Sequence, residues 1–327
     1  MELDFEKPLI DLEARLLELR SKLAAEPKVS PTEAQAEPAG SSPEIAELER
    51  ELVKLESEIY AKLTPWQIVQ VARHPNRPHL DDYLAGVFSE FIELHGDRAY
   101  TDDPAIKGGF AKIEKFRVMI IGHQKGKTVD ENIATRFGMG NPDGYRKALR
   151  LMRLAAKFKI PVISFVDTPG AYPGMEAEAR GQAEAIARNL TEMAGLEVPI
   201  IVVVTGEGGS GGALGIAVGD TILMLSNAVY SVISPEGCAS ILWRDGAKAP
   251  EAAEALKVTA PSLRELGIID DIVPEPAGGA HRHPKATVAA VREALIRHLR
   301  ILRKTAPKKL VARRYEKFAA MGRFRKR

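Results

Sequence analysis

The 327-residue chain has a globular composition, with 45% apolar and 28% charged residues and a net charge of +2. Its longest apolar run, residues 198–204, is far shorter than the roughly 20 residues of a membrane-spanning helix. Residues 1–7 are acidic and lack the basic and apolar regions of a signal peptide. The single cysteine, Cys238, excludes an internal disulfide and a cysteine-cluster zinc site. We therefore expect a cytoplasmic protein that does not enter the membrane.

The charge is unevenly distributed along the chain. Residues 1–60 carry 15 acidic and 7 basic side chains, whereas residues 297–327 carry 13 basic side chains and one acidic one, Glu316. A basic segment can bind nucleic acid, an anionic membrane or an acidic protein surface. We favour docking on a protein surface, either the acidic N-terminal segment or a partner chain. Nucleic-acid binding is not expected.

The N-terminal residues carry two apolar seams with the three-and-four spacing of paired helices. The seam residues are Leu12, Leu16, Leu19, Leu23, Ile45, Leu48, Leu52, Leu55 and Ile59. Between the seams, residues 24–43 are rich in Pro, Ala, Glu and Ser, which is typical of a flexible linker. Residues 1–60 are therefore predicted to form an antiparallel helical hairpin.

From residue 61 to residue 296, short β-branched runs alternate with helical stretches. The predicted strands are 118–121, 162–166, 200–205, 222–225, 229–233 and 268–273. The predicted helices are 144–159, 176–194, 235–242 and 250–258. This alternation predicts an α/β domain with a largely parallel, buried sheet, followed by a basic helical tail over residues 297–327. In such sheets the ligand lies at the carboxyl ends of the strands.

A glycine-rich turn with the sequence GEGGSGGA, residues 206–213, follows the predicted strand 200–205 and precedes a helix predicted to continue to Val218. Each glycine in a helix costs about 1 kcal/mol relative to alanine, so these glycines indicate that the backbone closely approaches a ligand or a neighbouring segment. A Walker phosphate loop is excluded because Gly212 and Ala213 replace its Lys and Ser/Thr. A dinucleotide fingerprint fits weakly, because no acidic residue ends the next strand.

Three interpretations of this turn remain open from the residues alone. Ser210 lies in a G-x-S-x-G pattern, and Asp270 or Asp271 and His281 or His283 follow in the order of an α/β serine hydrolase. Alternatively, backbone N–H groups at the helix start stabilise a developing oxyanion without a nucleophile. The third interpretation is a tight crossing from strand to helix that requires small residues.

A second turn, at the end of the segment VISFVDTPGAYPG (residues 162–174), follows the preceding strand. Together the two turns resemble the carboxyltransferase branch of the crotonase superfamily. Further blocks resemble the alpha chains of bacterial acetyl-CoA carboxylase carboxyltransferases. These blocks are residues 66–75, 94–100, 122–126 (GHQKG), 144–152, 231–243 and 274–281. The resemblance is strong over residues 44–318 and weak over residues 3–23.

The resemblance implies a ClpP/crotonase-type fold of repeated strand-strand-helix units, here with an N-terminal helical hairpin. It implies transfer of a carboxyl group from carboxybiotin, carried on a separate protein, to acetyl-CoA, giving malonyl-CoA in the first committed step of fatty-acid synthesis. The implied partners are a beta chain, in an α2β2 assembly, the biotin carboxyl carrier protein and biotin carboxylase. Zinc is expected on the beta chain, and no metal is expected on this one. A non-enzymatic alternative is an assembly subunit that only scaffolds its partners.

The resemblance also assigns site residues. Gly211 and Gly212 are expected to form a backbone oxyanion hole for biotin. The expected substrate-binding residues are Gly170, Ala171, Tyr172, Gly208 and Gly209.

Two other groups of residues are interpreted without a catalytic role. Ser234 and Glu236 fit the first turn of a helix, with Ser234 as the N-cap. Four basic residues are interpreted as a solvated loop, in preference to a contact with CoA phosphates or an acidic carrier. They are Lys125, Lys127, Arg136 and Arg146.

Overall fold

A computed structural model describes residues 3–25 and 42–322. They divide into two compact units, of which the first contains the residues up to Leu63 together with Ala277–Gly279, and the second the remainder. Most of the predicted linker 24–43, and the end of the predicted tail at residues 323–327, lie outside the described residues. No helix within the described ranges is long and apolar enough to cross a membrane.

The first unit contains helices α1 (Lys7–Ala25) and α2 (Pro43–Tyr60). The predicted seams pack against each other, with Leu16, Ile45 and Leu48 buried at the centre of the contact. Burial of the seams therefore accounts for the pairing of these two helices.

The direction of this pairing agrees with the prediction. The Tyr60 hydroxyl donates a hydrogen bond to Glu6 Oε1 at 2.6 Å, and the centroids of the Phe5 and Tyr60 rings are 6.3 Å apart. The last residue of α2 therefore contacts the residues that directly precede α1, which means that the two helices run antiparallel. In a parallel pair these residues would lie at opposite ends of the two helices.

In the described part of the second unit, eight strands form one sheet. They are β1 (Ser89–Glu93), β2 (Ile106–Ile113), β3 (Phe116–His123), β4 (Val162–Thr168), β5 (Ile200–Gly209), β6 (Thr221–Leu225), β7 (Val229–Ser231) and β8 (Asp271–Val273). The strand order is β1-β2-β3-β4-β5-β6-β8, with β7 also paired to β5. The pairs β1–β2 and β2–β3 are antiparallel, and the others are parallel.

The remaining helices precede, separate or follow the strands in the sequence. They are α3 (Pro65–Ala72), α4 (Leu80–Val87), α5 (Val129–Ala134), α6 (Pro142–Phe158), α7 (Met175–Ala179), α8 (Gln182–Gly195), α9 (Ser210–Leu214), α10 (Pro235–Trp243), α11 (Ala249–Leu256), α12 (Ala260–Glu265), α13 (Gly279–Arg282), α14 (Pro284–Leu302) and α15 (Pro307–Ala319). The α/β prediction is confirmed, with a parallel central sheet whose strands β4 and β6 are buried along their whole length. Burial on both faces explains their continuous apolar sequences.

Several predicted boundaries are wrong. The predicted helix 176–194 is broken at Gly181, which has φ +82°, into α7 and α8. The helix after the glycine turn ends at Leu214 and does not reach Val218, since the glycines around it do not favour a longer helix. The antiparallel strands β1 and β2 were not predicted at all.

The basic tail docks on the second unit itself. The proposed boundary between residues 296 and 297 falls inside the continuous helix α14. In α15, Arg314 is buried and pairs with Asp220 at 2.8 Å. The expectation that this segment docks on the acidic N-terminal segment or on a partner is therefore wrong for Arg314.

Candidate active site at the carboxyl edge of the sheet

The two turns identified in the sequence meet at the carboxyl ends of β4 and β5. A Cβ atom on Gly209 would lie 2.0 Å from the Pro169 carbonyl oxygen, and one on Gly212 would lie 2.3 Å from the Gly170 carbonyl carbon. Real Cβ atoms do not approach backbone this closely. Glycine at these positions therefore allows the two turns to pack backbone against backbone.

The expected oxyanion donors lie at the start of α9. Gly209 is the N-cap and no side chain caps the helix, so Gly211 and Gly212 are its second and third residues. The N–H groups of the first residues of a helix have no carbonyl partner within that helix. The Tyr145 hydroxyl donates a hydrogen bond to the Gly212 carbonyl oxygen at 3.2 Å, which holds this peptide group in place. A Cβ on Gly211 would meet only the Ile186 side chain, at 3.8 Å, so space is open beside this residue.

Hydrogen bonds hold the second turn in place. The Gly170 N–H donates to Thr168 Oγ1 at 3.2 Å, and the same hydroxyl donates to the Gly170 carbonyl oxygen at 2.6 Å. The buried Gln182 amide donates from Nε2 to the carbonyl oxygens of Gly140 and Tyr172, at 2.8 and 2.9 Å. A Cβ on Gly170 would meet nothing within 4 Å. The turn is thus fixed on one side and open on the other.

A cluster of buried charges lies directly before the two turns. The Lys125 ammonium is 2.6 Å from Asp167 Oδ1 and 3.3 Å from Glu207 Oε2. Burial disfavours the charged form of Asp167, but the Lys125 ammonium outweighs it and holds the pKa of Asp167 below its usual range. Burial likewise disfavours the Lys125 ammonium, but Asp167 and Glu207 outweigh it and raise the pKa of Lys125. Lys125 and Asp167 are therefore both charged near neutral pH.

The cluster continues toward α10 through Arg73. Arg73 Nε donates to Glu207 Oε1 at 2.6 Å, and its other nitrogens bind Glu236. Burial raises the pKa of Glu236, and the hydrogen bond from Arg73 lowers it below the usual value on balance. Ser234 Oγ accepts from the Gly237 N–H at 3.1 Å, which confirms the predicted N-cap.

Two cavities flank this cluster and share Arg73, Pro169 and Glu207. The smaller one, of about 40 Å³, also contacts Gly208 and Gly209. The larger one has a volume of about 470 Å³. Its walls include Ala72, Arg73, His74, Pro75, Arg77, His79, Lys125, Gly126, Asn132, Phe137, Met139, Asp167, Pro169 and Glu207.

The serine hydrolase alternative is not supported. Ser210 has a left-handed φ of +48°, and it follows the carboxyl end of β5. Asp270 and Asp271 lie at the amino end of β8, and β5, β6 and β8 are parallel, so both carboxylates are at the opposite edge of the sheet. There Asp270 pairs with Lys317. These carboxylates therefore cannot orient a histidine toward Ser210.

The interpretation of the four basic residues as a solvated loop is correct only for Lys127. Lys127 is exposed and pairs with Asp82. Lys125 is buried, Arg136 binds the buried Asp103, and Arg146 binds two further buried carboxylates. One feature of the sequence indicates that Lys125 is buried. Asp167 and Glu207 lie inside or directly after apolar strands, where a charged side chain needs a buried partner.

The described residues, 3–25 and 42–322, contain no group of three or more His, Cys, Asp or Glu side chains that could hold a metal ion. The candidate site combines backbone donors with a neighbouring cluster of buried charges of both signs.

Comparison with known proteins identifies the family. A family model described as acetyl co-enzyme A carboxylase carboxyltransferase-like matches residues 2–322. A protein of Geobacter metallireducens described as acetyl-coenzyme A carboxylase carboxyl transferase subunit alpha is 62% identical over 81% of this chain and 84% of its own length. One of Bordetella avium with the same description is 60% identical over 82% of this chain and 83% of its own length.

Solved structures resemble the fold. The beta subunit of Pseudomonas aeruginosa geranyl-CoA carboxylase matches 76% of this chain and 46% of its own, with a TM-score of 0.54 and 18% identity. Transcarboxylase 12S matches 65% of this chain and 41% of its own, with a TM-score of 0.52 and 22% identity. The predicted crotonase-type fold is thereby confirmed. The chain belongs to the acetyl-CoA carboxylase carboxyltransferase family.

Proposed function

We propose that the chain is the alpha subunit of an acetyl-CoA carboxylase carboxyltransferase, which transfers a carboxyl group from carboxybiotin to acetyl-CoA and forms malonyl-CoA for fatty-acid synthesis. The observation that carries this proposal is about 60% identity to alpha subunits over more than four fifths of both chains. The two turns support it, because they place unpaired backbone donors beside open space at the ligand-binding edge of the sheet.

In this function the carboxyl group arrives on biotin, which a separate carrier protein holds. The residues of this chain fit such a ligand, because Gly170 and Gly211 leave open space where side chains would otherwise project. The N–H groups of Gly211 and Gly212 would donate to the biotin carbonyl oxygen as negative charge develops there. A preorganised donor of this kind is worth about 2.7–4 kcal/mol of transition-state stabilisation.

The remaining predicted residues would form the walls of the biotin site. Gly170, Ala171 and Tyr172 follow β4, while Gly208 and Gly209 end β5 and border the smaller cavity. Because Gln182 binds both Gly140 and Tyr172, this wall is rigid before the ligand arrives. Rigid walls reduce the ordering cost of binding.

A beta subunit would complete the active site. The reaction generates two anions, on biotin and on the methyl carbon of acetyl-CoA, and one pair of donors cannot stabilise both at once. Apolar side chains near α10 are strongly exposed and offer a surface for this partner: Val232, Ile241 and Leu242 are 74%, 72% and 64% exposed. We propose an α2β2 complex, with zinc on the beta chain, that works with the biotin carboxyl carrier protein and biotin carboxylase in the cytoplasm.

Reconstitution tests this function. The purified chain alone is expected to show no malonyl-CoA-dependent carboxylation of biotin, and a beta chain with four zinc-ligand cysteines should restore it. The beta chain alone is the control, and propionyl-CoA offered against acetyl-CoA reports the acceptor preference. Full activity of the isolated chain, with no co-purifying partner by mass spectrometry, would contradict the division of the site between two chains.

A further inference from the structure

Lys125 joins the ends of the two strands that carry the turns. Asp167 is the penultimate residue of β4, and Glu207 is the third residue from the end of β5. The Lys125 ammonium lies between their carboxylates, 2.6 Å from one and 3.3 Å from the other. The three side chains are only 13%, 8% and 13% exposed. One buried cation therefore links both strands immediately before the candidate site.

The pairing of β4 with β5 is irregular at this point. Val166 pairs with Val204 but Thr168 pairs with Gly208, so β5 has two more residues than β4 between these pairs. Asp167 Oδ1 accepts a hydrogen bond from the Glu207 N–H at 3.0 Å. The Asp167 carboxylate thus replaces a bond of the strand ladder just before the glycine turn.

The position of this carboxylate sets the position of the turns. Gly206 has no room for a side chain, because its Cβ would lie 2.5 Å from Asp167 Oδ1. Two residues after Asp167, the Pro169 carbonyl contacts Gly209. A shift of Asp167 therefore moves both faces of the backbone contact between the turns.

The cluster also affects the charge of the site. Two carboxylates buried beside an oxyanion hole would oppose the negative charge that must form there. Lys125 contributes a positive charge that offsets part of this field. The other charged or titratable groups facing the cluster are Arg73, Arg77, His79, Tyr83, His123 and, through Arg73, Glu236.

We propose that Lys125 is a positioning residue of the carboxyltransferase site, which holds the ends of β4 and β5 together through Asp167 and Glu207 and offsets part of their negative charge next to the oxyanion turn. This inference rests on the proposed function of the two turns. Lys125 is an ammonium at working pH, since its carboxylate neighbours raise its pKa, and it transfers no proton.

Lys125→Met tests the proposal in the complex reconstituted with the beta chain. We expect kcat to fall by about 10²-fold, the cost of a small misplacement of reacting groups, with the KM for acetyl-CoA little changed. The pH profile is the discriminating measurement. Without Lys125 the pKa of the buried Asp167 rises, so its carboxylate is protonated at higher pH and releases the Glu207 N–H. The acid limb of kcat should move up by about one to three pH units.

Two control variants separate the effect of losing the Lys125 charge from a general effect of mutation in this loop. Lys125→Arg keeps the cation and should stay within about tenfold of the unmodified complex, with its acid limb unmoved. Lys127→Met is the matched control, because Lys127 lies in the same loop with a side chain that is 61% exposed and pairs with Asp82, outside the Lys125 cluster. It should change neither the rate nor the pH profile.

The outcomes distinguish this proposal from the function on which it rests. If the unmodified complex is inactive, the proposed function fails. If that complex is active and Lys125→Met shows normal kcat and an unmoved acid limb, the positioning role fails alone. Should Lys125→Met not fold, the double variant with Glu207→Gln removes one charge of each sign and restores the balance. It should still be at least about tenfold slower because the link between the strands is missing, and normal activity would overturn the proposal.

Discussion

The two edges of the parallel sheet each contain a buried cation, and they use it differently. At the amino edge Arg314 is 0% exposed, pairs with Asp220, and donates to the carbonyl oxygens of Met193, Leu196 and Val198. At the carboxyl edge Lys125 pairs with two carboxylates, while the N–H groups of the adjacent turn have no partner within their helix.

The difference separates a structural cluster from the candidate active site. Around Arg314 every donor is matched by an acceptor, so the cluster contributes to stability and leaves no donor for a ligand. Around Lys125 the charges are also paired, but the N–H groups of Gly211 and Gly212 have no partner within their helix. The proposed oxyanion site therefore differs from the Arg314 cluster in these donors and not in the presence of a buried charge.

The largest effect is expected at the amino edge. Arg314→Met removes the guanidinium that binds Asp220 and three carbonyl groups and leaves the buried carboxylate without its cation, which should lower the free energy of unfolding by about 3–5 kcal/mol. Arg313→Met is the matched control, since the neighbouring side chain is exposed and should change stability by at most about 0.5 kcal/mol. Urea unfolding of both variants measures the difference. Equal free energies of unfolding for the two variants would mean that the Arg314 contacts do not stabilise the fold.

A smaller effect is expected where the two turns touch. Gly212→Ala places a methyl group 2.3 Å from the Gly170 backbone and should cost about 1–3 kcal/mol, with transfer slowed by about 10²-fold. Gly211→Ala has room for the methyl group and, in a helical position, should leave the melting temperature unchanged or slightly higher. Thermal unfolding followed by activity assays compares the two. An equal loss of stability at both positions would refute the backbone contact.

The smallest effect is expected at Ser210. If the carboxyl edge works through backbone donors, Ser210→Ala should keep carboxyl transfer within about tenfold of the unmodified complex. Loss of a catalytic-triad nucleophile instead costs about 10⁶ in kcat. Covalent labelling of Ser210 by a fluorophosphonate, accompanied by loss of transfer, would argue against a backbone site.

The central strands were predictable because their environment is uniform. β4 and β6 are buried on both faces, so their sequences are mainly apolar. β2 has intermediate burial at three irregularly spaced positions and contains Gly108 and Gly109, which obscure the strand pattern. The antiparallel direction of the α1–α2 pair was predicted, and the contact of Tyr60 with Glu6 bears it out.

The two turns were recognisable from their glycines, but the charge cluster beneath them was not. Lys125 lies 82 residues before Glu207 in the sequence, and no local pattern reports a contact over that separation. The irregular pairing after Val166, which gives Asp167 its role, arises from the match between two strands. Neither strand encodes it alone.

The contact between Gly212 and Gly170 has a consequence for redesign of this enzyme. A side chain at Gly212 would collide with the Gly170 backbone, so Gly212 cannot be replaced unless the opposite turn moves with it, whereas Gly170 itself borders open space. A library that varies Gly212 to accept a bulkier acyl-CoA would therefore consist mostly of misassembled active sites. Phe137 and Met139 in the wall of the larger cavity lie outside this backbone contact, so a change in their size places no atom between the two turns.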